Sequence, residues 1–394
     1  MQFLHRAGSC LSLAMLCVAA MAQVAQTPHT ALRVLVTARE AHDLTLEEAE
    51  RGYPIHLRAV VTYYDPYVDT RFALLFVHDH TGCIYARLPS RPILPLKAGN
   101  MVDLTGVSGH GDYAPFVAGA QVRIVGESHL PEQAQKATIA QLLSGVVDAQ
   151  WVEIEGVVHT VHITAWNATL DIATAGGLTS ATTRRETGAE YDQLVDSFVC
   201  VHGNAVPLCN RKRQMVGGHL LFPSLRQLTV LQAASADPFS LPARSINSLL
   251  RFTPGQELAR RVRVQGRVTL QWPGRILCIQ QESDGLCIQT AQATRVSTGD
   301  LVDVIGFPAT SELKATLEDA TFRLVGGSVL PPVAKPIWAG QVLQGDHDDE
   351  LVRIEGELIG QDSATSDLSL ILHSSNFLVL AVLPKNSANS GTRP

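Results

Sequence analysis

A strand motif with a small residue at its centre recurs four times along this chain: Leu57-Arg58-Ala59-Val60-Val61, Ile154-Glu155-Gly156-Val157-Val158, Val264-Gln265-Gly266-Arg267-Val268 and Ile354-Glu355-Gly356-Glu357-Leu358. The central residues lie 97, 110 and 90 positions apart. Self-similarity on that scale means an array of like modules, each of which must bury its own modest core with help from its neighbours.

Other parts of the unit keep the same offsets. Gly106 and Gly126 stand as far apart as Gly306 and Gly326, and Ala59 to Gly106 equals Gly156 to Gly203. Alternation of apolar and polar residues dominates, as in Val152-Glu153-Ile154-Glu155-Gly156-Val157, and this period of two marks half-buried strands. Helical signals are short: Thr45 to Arg51, Thr138 to Leu143 and Ile337 to Leu343, each just before a copy of the motif.

A glycine inside a good strand signals a sharp bend or a close backbone approach. A long first strand that bends to serve two faces, a hairpin, a Gly-Asp turn into a fourth strand and a closing strand describe the five-stranded Greek-key barrel of the OB-fold. The fold class expected is therefore all-β, with tandem OB-fold-like barrels. A seven-stranded sandwich is the rival, but five strand signals per ~90 residues are too few for it.

Pro-rich or Ala/Ser-rich joints place the modules at 51–130, 134–232, 243–328 and 337–394, after a leader at 1–22 and an N-terminal segment at 23–50. The insert from Ala175 to Asp192 reads as a polar loop. The fourth unit has a first strand and a hairpin candidate, Ser369 to Leu372 with Phe377 to Leu383, but no Gly-Asp strand or closing strand. Such an incomplete barrel would expose a strand edge for another chain to cap.

Arg6, the apolar run Leu11 to Ala20 and Ala20-Met21-Ala22 read as a secretion signal, so the mature chain is expected to begin near Gln23 in the periplasm or outside the cell. No later segment approaches the ~18 uninterrupted apolar residues of a spanning helix, so no stable membrane insertion is expected after cleavage. With 31 basic and 37 acidic residues the chain carries a net charge of −6. That balance disfavours nucleic acid and anionic membrane as partners.

Seven cysteines are present, five of them beyond the leader. Cys278 and Cys287 sit in twin Leu-Cys-Ile-Gln strings around a turn-like Glu282-Ser283-Asp284-Gly285. They either form a cross-strand disulfide or serve as buried apolar thiols, the commoner state of such residues.

The densest aromatic cluster lies in the first unit, and OB barrels bind oligonucleotides or sugars on the face of strands two and three. Tyr64, Phe76, Tyr85 and Tyr113 are accordingly the candidate ligand contacts, against the alternative that they fill the core and the module interfaces. In Asn210-Arg211-Lys212-Arg213-Gln214, Arg211 and Arg213 are candidates for gripping a phosphate or carboxylate, against a solvated loop. His78-Asp79-His80 and Asp346-His347-Asp348-Asp349-Glu350 invite a metal reading, but neither has the ligand spacing of a zinc or calcium site. No nucleophile elbow, zinc-protease or phosphate-loop motif occurs, so neither catalysis nor a cofactor is expected.

The strings from Arg51 to Pro66, Trp151 to Val158, Asn210 to Gln214, Asp237-Pro238-Phe239 and Gly299 to Pro308 resemble the exported N-terminal sensor regions of acidobacterial-type membrane histidine kinases. The resemblance covers nearly the whole mature chain and implies a periplasmic sensory role, since in that family the region precedes a transmembrane helix and cytoplasmic signalling domains, but it transfers no ligand-binding residues. The partners expected are an unidentified small molecule or oligosaccharide and a membrane signalling protein. The chain departs from that family by ending inside the fourth module, so kinase activity does not carry over. A secreted accessory module or enzyme acting on carbohydrate or nucleic acid, and a remnant of a truncated receptor gene, are the alternatives.

Overall fold

The computed structural model describes residues 31–249, 260–311, 314–327, 332–362 and 367–384. The leader read over 1–22 and the tail from Lys385 lie outside them. All elements below belong to the unit Val34–Pro394, and among the described residues no helix is long and apolar enough to cross a membrane.

Module 1 consists of β1 (Pro54–Asp65), β2 (Phe72–Asp79), β3 (Gly82–Pro89), β4 (Asn100–Gly109) and β5 (Phe116–Glu127). These close into a barrel in the order β1-β2-β3-β5-β4, with β3 and β5 parallel. This is the five-stranded OB arrangement.

Module 2 contains β6 (Gln135–Lys136), β7 (Trp151–Ile163), β8 (Asn167–Thr174), β9 (Gly177–Arg184), β10 (Phe198–Cys209), β11 (Met215–Leu221) and β12 (Leu228–Gln232). Its circuit β7-β8-β9-β11-β10 closes in the same way through pairing of β10 with β7. Module 3 comprises β13 (Ala243–Arg244), β14 (Val262–Trp272), β15 (Ile276–Gln281), β16 (Asp284–Gln289), β17 (Leu301–Ser311) and β18 (Lys314–Gly326). It repeats the order as the sheet β16-β15-β14-β17-β18. In module 4, β19 (Lys335–Pro336) pairs with β20 (Val352–Arg353), while β21 (Glu357–Asp362), β22 (Asp367–Ser374) and β23 (Phe377–Pro384) form a three-stranded sheet. Leu378 and Leu380 of β23 are 68% and 62% exposed, so this sheet leaves apolar surface uncovered.

The bend expected in each first strand is a β-bulge, and it falls at one position of the repeat. The register slips between Val61 and Tyr63, Val158 and Thr160, Val268 and Leu270, and Leu358 and Gly360. A bulge adds one residue and turns the strand, which lets a single strand pair with β2 on one side and β4 on the other. The central small residue is explained by close approach. A Cβ at Gly156 would run into the Ala173 carbonyl, and one at Gly356 would lie 2.8 Å from the His373 carbonyl oxygen.

Two expectations need correction. The first module begins at Leu35, not at residue 51: Leu35 bridges to Ile55 in parallel, and Leu35, Ala38 and Ala41 are packed into the barrel core. The same parallel strap recurs as β6 on β7, β13 on β14 and β19 on β20. Between strap and strand come short helices: α1 (Ala38–His42) and α2 (Leu46–Ala49) in module 1, and α3 (Ile139–Ser144) in module 2. Each is started by a threonine capping box, Thr37 with Glu40, Thr45 with Glu48 and Thr138 with Gln141, which satisfies otherwise orphaned N–H groups.

Second, the segment read as a polar loop holds β9, the third strand of module 2. Its inward residues Thr179, Ala181 and Thr183 are buried. Threonine is β-branched and suits a strand although it scores as polar. Of the two states open to Cys278 and Cys287, the bridge is the one present: they face each other across β15 and β16 and are joined as a disulfide, with Cα atoms 4.1 Å apart. Cys83, Cys200 and Cys209 are free.

Candidate functional site

Alternation along β2 and β3 puts Phe72, Leu74 and Phe76 on the same outer face of module 1 as Tyr85 and Arg87. The β4–β5 loop, Gly111 to Pro115, overhangs this face, and the β10–β11 hairpin of module 2 closes the far side. Together they enclose a cleft of about 480 Å³ whose lining includes Phe76, Tyr85, Arg87, Tyr113, Val206 and Arg211. A larger groove in module 3, about 910 Å³, is lined by residues such as Arg275, Gln292 and Glu318 and, among the described residues, by no aromatic ring.

The Arg87 side chain is the centre of the cleft. Its guanidinium lies 4.8 Å from the Phe72 ring centroid, 4.6 Å from that of Phe116 and 5.6 Å from that of Tyr85. Cation–π contacts of this kind hold a cation in a fixed orientation. Its Nε donates to the Tyr85 hydroxyl at 2.9 Å and its Nη2 to Asp112 Oδ2 at 3.0 Å. Burial works against the charge on Arg87, but Tyr85 and Asp112 more than offset it and leave its pKa raised. Burial also pushes the Tyr85 hydroxyl up, so the ring stays neutral and able to donate.

The base of the same face is sealed. Tyr63, Phe76, Ala149 and Leu221 form a buried cluster across the boundary of modules 1 and 2, with Leu74, Tyr85 and Val206 against it. Phe76 is 3% exposed. The face thus divides into a dry lower half that docks module 2 and an open upper half around Arg87.

Of the residues singled out from the sequence, Phe76, Tyr85, Tyr113 and Arg211 converge on this cleft. Tyr113 donates from its hydroxyl to the Ser144 carbonyl at 3.2 Å, tying the overhanging loop to module 2. Arg211 is exposed on the cleft rim. Arg213 has a different role: its guanidinium donates to the Gly111 carbonyl at 2.6 Å and to the Asp112 carbonyl at 3.4 Å. It clamps the β4–β5 loop rather than facing the cleft.

Tyr64 is not a surface contact. It belongs to the core of module 1 at 7% exposure, and its hydroxyl accepts from the Leu94 amide at 3.3 Å. The bulge at Thr62 shifts the alternation, so Val61 and Tyr64 both point inward while Tyr63 faces module 2. Arg87 and Asp112 were missed by sequence reasoning. Arg87 stands two residues beyond Tyr85 on one strand, and that spacing alone would have placed both on one face.

In each of the two segments with a metal reading, one aspartate is engaged in holding the fold. Asp79 accepts from the amide of Ala38 at 2.8 Å and from the amide and hydroxyl of Thr81, holding α1 and the β2–β3 turn. Asp349 accepts from Lys314 Nζ at 2.6 Å and from the Cys287 amide at 3.1 Å, docking module 4 on module 3.

No known family model matches this chain, and no curated protein does. Among solved structures, asparaginyl-tRNA synthetase from Pyrococcus horikoshii with asparaginyl-adenylate aligns over 27% of this chain at 20% identity and a TM-score of 0.21. This chain spans about a quarter, 24%, of that synthetase. A murine DNA-binding protein bound to double-stranded DNA aligns over 47% of this chain and 98% of its own length, at 11% identity and a TM-score of 0.25. The Ifi202 HINa domain in complex with 20-bp double-stranded DNA covers 46% of this chain and 96% of its own, at 7% identity and a TM-score of 0.24.

Proposed function

We propose that this chain is an exported recognition protein whose cleft between the first two OB-like modules binds a small molecule or an oligosaccharide. The observation that supports it is the convergence of Phe76, Tyr85, Tyr113 and Arg211 on one cleft built around Arg87, on the barrel face where OB-folds take their ligands. Aromatic walls with one oriented cation suit a flat or ring-shaped ligand that carries a hydroxyl, carboxylate or phosphate group. The net charge of −6 argues against polyanionic nucleic acid as that ligand.

Export agrees with the disulfide between Cys278 and Cys287, because such bonds persist in oxidising compartments. The resemblance to sensor regions of membrane histidine kinases supports a sensory output. Because the cleft has one wall from each module, a ligand that fills it favours one relative orientation of the two, and a membrane signalling partner would read that geometry.

The test is native mass spectrometry of the chain from Gln23 onward, produced through its own export signal and weighed before and after denaturation. A reproducible extra mass that is lost in both Tyr85→Ala and Arg87→Ala is the expected result. An extra mass retained by both variants, or no ligand from either the native preparation or a carbohydrate and metabolite screen, overturns the reading.

A further inference from the structure

A second chemical cluster lies away from the cleft, on the outer face of module 2. There β7 and β10 run antiparallel with Glu153 opposite His202 and Glu155 opposite Cys200. Residues two apart on a strand share a face, so these four side chains form a two-by-two grid. The intervening residues Ile154 and Val201 point the other way, into the core.

Within the grid, His202 Nε2 lies 3.0 Å from Glu153 Oε2 and 3.7 Å from Cys200 Sγ. The three donor atoms all fall within 4.8 Å of one another. We propose that Glu153, Cys200 and His202 form a binding site for one divalent transition-metal ion of the Zn²⁺ class.

The distances fit that ion. In a tetrahedral centre with Zn–S of about 2.3 Å and Zn–N of about 2.0–2.1 Å, neighbouring sulfur and nitrogen ligands are roughly 3.6 Å apart, and nitrogen and oxygen ligands roughly 3.3 Å. The observed edges of 3.7 and 3.0 Å need shifts of only a few tenths of an ångström. A thiolate, an imidazole and a carboxylate select a borderline-soft metal over Ca²⁺ or Mg²⁺, which take oxygen ligands.

A dication bound there would meet the carboxylate of Glu153, with that of Glu155 beside it, and would hold Cys200 as a thiolate. Glu155 is engaged by Lys136 Nζ at 2.5 Å and stands beside the three ligands. The side chains of His202 and Glu153 are 35% and 26% exposed, which leaves the fourth tetrahedral position to water or an exogenous ligand.

The test uses the full mature chain, stripped with a chelator and titrated with Co²⁺ alone, then with Zn²⁺ as competitor. One equivalent of Co²⁺ should give a thiolate-to-cobalt charge-transfer band that Zn²⁺ removes. Cys200→Ser should abolish the band, and His202→Ala and Glu153→Gln should each weaken Zn²⁺ binding at least about tenfold, the lower bound seen even for partners one shell further out. His202 is part-exposed, so that variant keeps the test decisive if Cys200→Ser fails to fold. No saturable band, a band that survives Cys200→Ser, or unchanged affinity in a folded His202→Ala overturns the proposal.

Discussion

The His42 imidazole, at the end of α1, meets the carboxylate of Asp148 of module 2, a residue lining the cleft, at 3.0 Å. Their side chains are 23% and 11% exposed, so the pair is shielded on both sides of the module boundary. The hydrogen bond to Asp148 raises the His42 pKa above its ordinary value, against the opposing effect of burial. A raised folded-state pKa means that the contribution is fully present below the unfolded value near 6.5 and is lost as pH rises through the folded value. His42→Gln should therefore cost about 1–2 kcal/mol at pH 6 and less at pH 9. Thermal melting of both proteins at the two pH values checks this, and a gap that widens at pH 9 contradicts it.

His219 on β11 should do the opposite. Burial pushes its pKa down to about 4, and its Nδ1 is buried without a hydrogen-bond partner among the described residues. Here the unfolded state takes up the proton first, so stability is complete above about pH 6.5 and falls as pH drops toward 4. The full effect is roughly 3 kcal/mol, since each pKa unit corresponds to about 1.4 kcal/mol. Urea denaturation at pH 4.5 and 7.5 should show that His219→Gln flattens this acid slope; an unchanged slope assigns it to other groups.

The repeat was legible because it rests on backbone necessity. Gly156 and Gly356 sit where a Cβ meets a neighbouring strand's carbonyl group, so the small residue recurs with the bend. What hid was set by features without a strong hydrophobic signature. Thr179 and Thr183 fill a barrel interior, yet a polar-rich segment reads as a loop. One extra residue at Thr62 sends Tyr64 inward and Tyr63 to the module boundary, and a strict period of two cannot anticipate it. Arg211 and Arg213 belong to one charged run, but only tertiary contacts separate the rim residue from the clamp. For Cys278 and Cys287 the spacing suits both a bridge and two buried thiols.

The Cys278–Cys287 disulfide should be a measurable part of module 3 stability. It closes a loop with a sequence separation of 9, for which the chain-entropy model gives about 2–3 kcal/mol. Non-reducing peptide mapping should recover the linked pair, and the Cys278→Ala/Cys287→Ala double variant should melt earlier than wild type. Equal melting of the two, with the bond verified in wild type, contradicts the expectation.

Gly145 offers the sharpest test of how the overhanging loop is held. It ends α3 in the left-handed region at φ 72°, where a non-glycine residue is strained. A Cβ there would also collide with the hydroxyl of Tyr113, which reaches over to the Ser144 carbonyl. Gly345 occupies the same place in the repeat at φ 75°, but there the nearest atom to an added Cβ is Asp348 Oδ2 at 4.0 Å. Gly345→Ala should thus cost only the backbone strain, about 1 kcal/mol. Gly145→Ala should cost that and a further ~1 kcal/mol or more for displacing the tyrosine, and it should weaken any ligand held in the cleft. In a Tyr113→Ala background the cost of Gly145→Ala should fall to that of Gly345→Ala. A double-mutant cycle by urea denaturation reads the coupling directly. If Gly145→Ala costs the same with and without the Tyr113 ring, the close approach does not hold the loop, and the cleft wall must be fixed by the Arg213 clamp instead.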